Sequence, residues 1–294
     1  MKTEHKYTRI IALTIILLYA VNSIVISQGT DSRREYVKEK KLYIGFILTP
    51  QKTGISNNDF LSATPLNIKN GTSMKLALEG GYFFSKIAGI SIGAEMGSYS
   101  SELSIDSCYI EFDATDKDEE DYKMQITGNS IIEEQKISFL SIPVCFILRI
   151  PAGEKLGFYL KAGLSFAIPI VKTYEGSGKF TYDGYYAAYP VLLHNIPAYF
   201  PSNVNTPSSG NLEVKSFSQT LVASGGLSFK VSESIHLTLG LHFNRSLGNI
   251  SAYDPGSEYK LTSEPNEMNS IMGGASGAGV QGLGISLGVK YYIR

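Results

Sequence analysis

Eight segments of alternating polarity, separated by gaps that are long and short in strict turn, constrain this chain more than any other feature. The segments Lys41–Thr49, Ser73–Phe84, Ile90–Ser100, Lys136–Ile150, Leu156–Pro169, Ser218–Val231, Ile235–Leu247 and Gln281–Ile293 read as strands. In the fifth, Phe158, Leu160, Ala162, Leu164, Phe166 and Ile168 share one face, against Gly157, Tyr159, Lys161, Gly163, Ser165 and Ala167 on the other. Such a period of two means a strand with one apolar face. The seventh and eighth segments repeat it. The gaps 51–72, 101–135, 170–217 and 248–280 are long and polar, whereas the three between them are short turns. Long loops at one end and short turns at the other are the asymmetry of an outer-membrane β-barrel, whose short turns face the periplasm and whose long loops face outside.

The polar faces sharpen the choice. A soluble ligand-carrying barrel turns its apolar face inward, and a membrane barrel turns it to lipid. Here the minor face is rich in Gly and Ser and carries Lys75, Glu79, Glu95, Arg149, Lys161, Lys230 and Lys290. Small residues with charges of both signs suit a narrow lumen, where side chains fill the space and pair. In hydrocarbon an unpaired backbone amide costs several kcal/mol, so the sheet must close on itself. The fold expected is therefore all-β: an eight-stranded, antiparallel, up-and-down transmembrane β-barrel over 41–294, with a filled lumen, no open channel and a monomeric state. Hydrophobic residues make up 43% of the chain. That ordinary value fits a barrel whose lipid-facing and lumen-facing residues average out.

The first 27 residues read as a signal peptide. Lys2, Lys6 and Arg9 precede the apolar run Ile10–Ile26, and Val25 and Ser27 precede a cleavage site before Gln28. An uncleaved signal anchor is the alternative. Residues 28–40 then form a short periplasmic tail, a tether or a contact for a periplasmic partner. With a net charge of −1 the chain has no basic bias toward nucleic acid. The chain lacks Trp, so the interfacial aromatic belts fall to Tyr and Phe, with Tyr43, Tyr82, Phe84, Phe158 and Tyr291 near the periplasmic ends. Pro143 has no amide for a ladder, and with Phe139 and Leu140 it predicts a bulge in the fourth strand.

Three motifs bear on architecture together. Ser138-Phe-Leu-Ser-Ile-Pro-Val-Cys-Phe-Ile-Leu148, Phe158-Tyr-Leu-Lys-Ala-Gly-Leu164 and the closing Gly284-Ile-Ser-Leu-Gly-Val-Lys-Tyr-Tyr-Ile293 resemble strands of the PorT-like outer-membrane β-barrel family common in Bacteroidetes. The resemblance implies an outer-membrane, eight-stranded barrel. One branch of the family is associated with type IX secretion, and no residue here places the chain in that branch. Arg294 stands where such barrels often end on an aromatic.

Candidate sites lie in the gaps. Asp113, Asp116, Asp118, Glu119, Glu120 and Asp121 could serve a divalent cation or a basic partner, but they lack the spacing of a calcium loop and read more readily as a solvated acidic loop. Tyr182, Tyr185, Tyr186, Tyr189, Tyr199 and Phe200 form a tyrosine-rich stretch that either binds an extracellular ligand or packs on itself to cap the barrel mouth. The glycine run 273–279 lacks the strand–loop–helix context of a phosphate cradle. Cys108 and Cys145 are expected at different heights and unbridged. His236 and His242 sit on one face of one strand about 20 Å apart, too far for a shared metal. His194 has no spacing that ties it to a nucleophile. No cofactor or metal is implied. The role expected is non-enzymatic: structural or surface-binding work through the long loops, with outer-membrane lipid as the surrounding partner and an extracellular ligand or envelope protein as a further one. A component of a secretion or envelope-assembly complex is the first alternative. A narrow pore and a rim-located lipid-modifying enzyme follow.

Overall fold

The computed structural model describes residues 41–58, 65–196, 203–253, 261–262 and 268–293. Residues 1–40, where a signal peptide and a periplasmic tail are expected, and Tyr199 and Phe200 lie outside them. The described residues form strands β1 (Leu42–Asn58), β2 (Asn67–Phe83), β3 (Ala88–Thr115), β4 (Asp121–Pro151), β5 (Leu156–Tyr186), β6 (Val191–Leu193), β7 (Asn205–Asn211), β8 (Ser218–Lys230), β9 (Ile235–Ser246) and β10 (Gly277–Ile293). Among them no helix is long and apolar enough to cross a membrane.

Eight of these strands close a ring. β1 pairs with β2, β2 with β3, β3 with β4, β4 with β5, β5 with β8, β8 with β9, β9 with β10 and β10 back with β1, every pair antiparallel. Closure satisfies the backbone of each strand on both sides. At one end the connections are tight. Ser85 Oγ accepts the amides of Ile87 and Ala88, and Ser232 Oγ accepts those of Ser234 and Ile235. A serine that caps its own turn in this way explains why so few residues suffice. Leu140, Ile142, Val144 and Phe146 of β4, like Leu283, Ile285, Leu287 and Val289 of β10, point outward and are exposed, making an apolar belt.

At the other end three strands outgrow the belt. The stretches 101–135 and 170–217, expected as loops, are largely strand: β3 and β4 continue as a hairpin to a turn at 116–120, and β5 runs beside it to Tyr186. β6 and β7 then pair with the outer part of β5. The alternation persists beyond the belt with its polarity reversed. On β4, Tyr122, Met124, Ile126, Ile131 and Ile137 turn inward, while Lys123, Thr127, Glu134 and Lys136 turn outward. A search for apolar outward faces therefore passes over it.

Two irregularities hide the pattern further. Between Asn129 and Ile132 the β4–β5 register shifts, with Ser130 at φ 51°, and the inward residues of β4 change from even to odd numbers. A second shift lies at Ser138/Phe139. The bulge anticipated from Phe139, Leu140 and Pro143 thus falls at Phe139, with the extra residue, Ile170, on β5. Pro143 keeps register with Ser165, and its missing amide appears only as a gap in the β3 ladder between Ile92↔Val144 and Glu95↔Ser141. Tyr43 also departs from expectation. It is fully buried inside the ring, because it alternates with the outward Leu42 and Ile44, so it forms no part of the outer aromatic belt.

Candidate functional site

The interior is built in layers. At the short-turn end Tyr43, Phe83, Ile147 and Tyr292 close the lumen as a cluster, with the Arg149 guanidinium 4.3 Å from the Phe83 ring centre. Arg149 donates to the carbonyl of Lys86, so it belongs to this floor and not to the charge layer above. Stacking on a ring favours a cation held beside it.

Above the floor, Glu79 takes Lys290 at 3.1 Å on Oε1 and Lys161 on Oε2, while Tyr43 donates its hydroxyl to Oε1 at 3.1 Å. Glu95 takes Lys75 at 3.2 Å and the Ser165 hydroxyl at 3.2 Å. Lys75 also reaches His242 Nε2 at 3.3 Å. The ring register explains the meeting of Glu79 and Lys290, since both stand opposite Gly45, the one on β2 and the other on β10. A Cβ at Gly45 would come within 3.3 Å of Lys290 Cγ and 3.4 Å of Glu79 Cγ, so glycine there leaves the ion pair its room. Five of the seven charges expected in the lumen thus lie in two neighbouring ion-paired groups, one on Glu79 and one on Glu95. Lys230 does not: it ends β8 and is exposed at the short-turn rim. A residual cavity of about 30 Å³ among Lys75, Glu79, Lys161, Thr238 and Ser286 has room for a water.

Further up, Tyr99 donates to Asn244, whose amide donates to Gln51, which donates to Ser73. Then the interior turns apolar. Ile55, Ile137, Phe139, Leu212, Ile250, Met272 and Val280 pack across the ring, and the short 3-10 turn Ile271–Gly274 lies among them. One carboxylate is buried in this region. Glu133, wholly inaccessible, accepts from Gln135 at 2.7 Å, from the Ser270 hydroxyl at 2.8 Å and from the Ile271 amide at 2.8 Å. Burial outweighs these hydrogen bonds and pushes its carboxyl up to about 7. Glu133 therefore fastens the 270–272 segment to β4. It was not singled out in the sequence, where it sits in a polar run with Glu134 and Gln135.

The outermost part has its own apolar core of Leu103, Ile105, Met124, Ile126, Ile131, Phe180 and Leu261. The tyrosine stretch divides here. Tyr182 is buried against this core, its hydroxyl 3.1 Å from Thr262 Oγ1. Tyr186 stacks on Tyr122 with ring centres 5.1 Å apart and donates to Asp116 at 3.0 Å; burial and that carboxylate push its hydroxyl up to about 12. These two pack as a cap. Tyr185 is half-buried on the outward face beside Lys123, and Tyr189 is exposed, donating to Glu120 at 2.8 Å. The acidic run forms the hairpin turn. Asp116 accepts the amides of Glu120 and Asp118, which hold its carboxyl below the usual range. Among the described residues no group of three or more His, Cys, Asp or Glu could hold a metal. Cys108 and Cys145 are free and buried, in β3 beyond the belt and in β4 within it. His194 lies 3.3 Å from Asp183 at the outer end, and the His236 ring packs at a tilt against Tyr292 at the floor, ring centres 4.5 Å apart.

A family model described as the outer membrane protein beta-barrel domain matches residues 41–252. No curated protein matches the chain. Solved structures similar to it include Neisserial surface protein A (11% identity, 86% of this chain and 97% of that one, TM-score 0.37) and the outer membrane protein OprG of Pseudomonas aeruginosa (12%, 86% and 96%, 0.37). The attachment invasion locus protein Ail of Yersinia pestis, solved with the heparin analogue sucrose octasulfate, is a third (9%, 85% and 98%, 0.30).

Proposed function

The chain belongs to the outer membrane protein beta-barrel domain family, and from that premise we propose that it is a non-enzymatic surface protein whose working part is the sheet beyond the apolar belt. In this reading the long-hairpin end faces outside, residues 1–27 are removed on export, and the barrel is an anchor. The observation that carries it is the separate core of the outer part. Leu103, Ile105, Met124, Ile126 and Phe180 are almost wholly buried there. A connection of this length is usually functional or disordered, and a packed apolar core supports the first. The filled, ion-paired lumen speaks against a pore as the main role.

On the motifs quoted above we read the chain as PorT-like. Membership of a secretion or assembly complex stays the alternative reading, and co-purification with a large envelope complex would favour it. The direct test replaces 107–128 with a two-residue Asn-Gly turn. Intact cells carrying either form are scored for retention on a panel of immobilised extracellular proteins and polysaccharides, and a Lys117→Cys variant is treated with a membrane-impermeant maleimide. We expect the Lys117→Cys variant to label on intact cells. The shortened protein should keep its fast-migrating unboiled gel band and lose retention. Failure to label, or retention unchanged by the truncation, would overturn the reading.

A further inference from the structure

Beyond the belt the sheet has two edges, and the sequence treats them differently. On one side β3 outlives β2, whose pairing with it ends at Asn67↔Ser104. From Ile105 to Thr115 that edge carries Asp106, Glu111 and Asp113. Charges on a bare edge are a common defence against pairing with another chain. On the other side the outermost strand is β6, Val191–Leu193, which among the described residues pairs only with β5, through Tyr186↔Val191, Tyr185↔Leu192 and Gly184↔Leu193. Its three residues are apolar and 42%, 41% and 46% exposed, with no charge among them. Pro190 precedes the strand and leaves its three amides intact.

Lipid is not what covers this edge. Val171 is the last outward apolar residue of the belt on β5 before the charged stretch, and Gly184, opposite Leu193, lies thirteen residues further along the same strand. At about 3.3 Å per residue that is roughly 43 Å along the strand. The charge around the edge is one-sided. The β3–β4 turn region 109–123 and the segment 182–196 together hold eight carboxylates and two lysines. Tyr189 brings Glu120 to the start of β6, and Asp183 sits beside His194 at its end.

We propose that β6 is a docking edge for an extended, basic segment of another protein, which joins the sheet as an added strand. Main-chain hydrogen bonds would supply affinity, apolar side chains would meet Val191 and Leu193 on one face and Leu192 on the other, and lysine or arginine would face the carboxylates. Strand addition at an exposed edge works in this way. The inference rests on the surface-binding reading above and names the chemistry of its partner.

The test uses the full mature chain in lipid nanodiscs and a fluorescent alternating peptide, (Lys-Val)4. Its comparators are (Glu-Val)4 and a (Lys-Val)4 N-methylated on every residue, which removes the backbone donors from both hydrogen-bonding edges. We expect saturable binding of (Lys-Val)4, at least tenfold weaker binding of both comparators, and a similar loss in Leu192→Lys. An unchanged unboiled gel band would show that this variant still folds. Absence of saturable binding would overturn the proposal. So would equal binding of the methylated peptide, which would mean charge attraction alone. A dimer of the protein that Leu192→Lys abolishes would assign the edge to a second copy and equally overturn it. If the peptide fails to bind while the 107–128 truncation still abolishes cell retention, the surface-binding reading stands and this inference falls; if neither effect is seen, both fall.

Discussion

Strand β4 passes through two environments, and its two halves obey opposite rules. From Leu140 to Phe146 the exposed face is Leu140, Ile142, Val144 and Phe146, while the buried face holds Ser141 and Cys145 beside the ion pairs of Glu79, Glu95, Lys75, Lys161 and Lys290. From Tyr122 to Ile137 the buried face is Tyr122, Met124, Ile126, Ile131 and Ile137 with Glu133 and Gln135 among them, and the exposed face is polar apart from Ile132. The lower half uses lipid as its apolar partner and leaves its charges to one another. The upper half makes its own core and, Glu133 apart, leaves its charges to water. One continuous backbone can do both because strand pairing is indifferent to which face is apolar.

If the halves differ in this way, the heaviest penalty should follow from disturbing the charges inside. Glu79→Leu would leave Lys161 and Lys290 without their shared carboxylate. Removing one partner of a buried pair costs about 3–5 kcal/mol. We expect a large fall in the urea midpoint for barrel unfolding, or failure to gain the fast-migrating gel form. A change under about 1 kcal/mol would mean that water reaches this layer freely. The outward faces offer the next largest contrast. Val144→Arg places a charge in the belt, where the cost is about 2–4 kcal/mol near the midplane. Thr127→Arg makes the same change on the same face of β4 beyond the belt and should stay within about 0.5 kcal/mol. Equal effects would show that both halves see one solvent.

This contrast also explains what could be read from sequence. The belt-crossing strands, the short turns and most of the lumen charges were legible, because one rule, apolar outward, held along each segment. Lys161 was placed in the lumen by alternation alone, but its choice of Glu79 over Glu95 depended on the ring register, which no single strand contains. Lys230 was misread because alternation gives a face and not a depth. The upper half was hidden because its rule is reversed and its phase is shifted, at Ser130 on β4 and near Ile170 on β5. Glu133 was invisible for the same reason. Next to Glu134 it looks like one of a solvated pair, and only the inward phase set by the bulge buries it.

Glu133 gives a smaller effect with a definite sign. Its folded-state carboxyl lies near 7, above the ordinary 4.5. The folded form thus holds a proton that the unfolded form has released, so stability linked to it is greatest below pH 4.5, declines as pH rises toward 7 and is level above. Among the groups around it, Gln135, Ser270 and the Ile271 amide contact it, and Tyr253 feels its charge. Amide exchange at 270–275 should accordingly be slower at pH 5.5 than at pH 8, after correction for intrinsic exchange, while that of the belt strands changes little. Glu133→Gln should abolish the difference. Exchange that slows with rising pH would reverse the sign and refute the account.

The smallest effect tests where the two halves meet. Lys69 and Glu102 pair at 3.3 Å on the outward face, with the lysine side chain 77% exposed. Exposed pairs contribute about 0.2–1 kcal/mol and weaken with salt. A double-mutant cycle on Lys69→Ala and Glu102→Ala should give a coupling in that range that shrinks between 50 mM and 500 mM NaCl. The same two ion types occur in Lys75–Glu95, one turned to water and the other sealed in the lumen, so the difference between the two cycles isolates burial from chemistry. Should the outer coupling exceed about 1.5 kcal/mol and ignore salt, the row of Lys69, Glu102 and Glu134 would lie within the lipid headgroup layer, and the boundary between the two rules would move outward along β4 to that row.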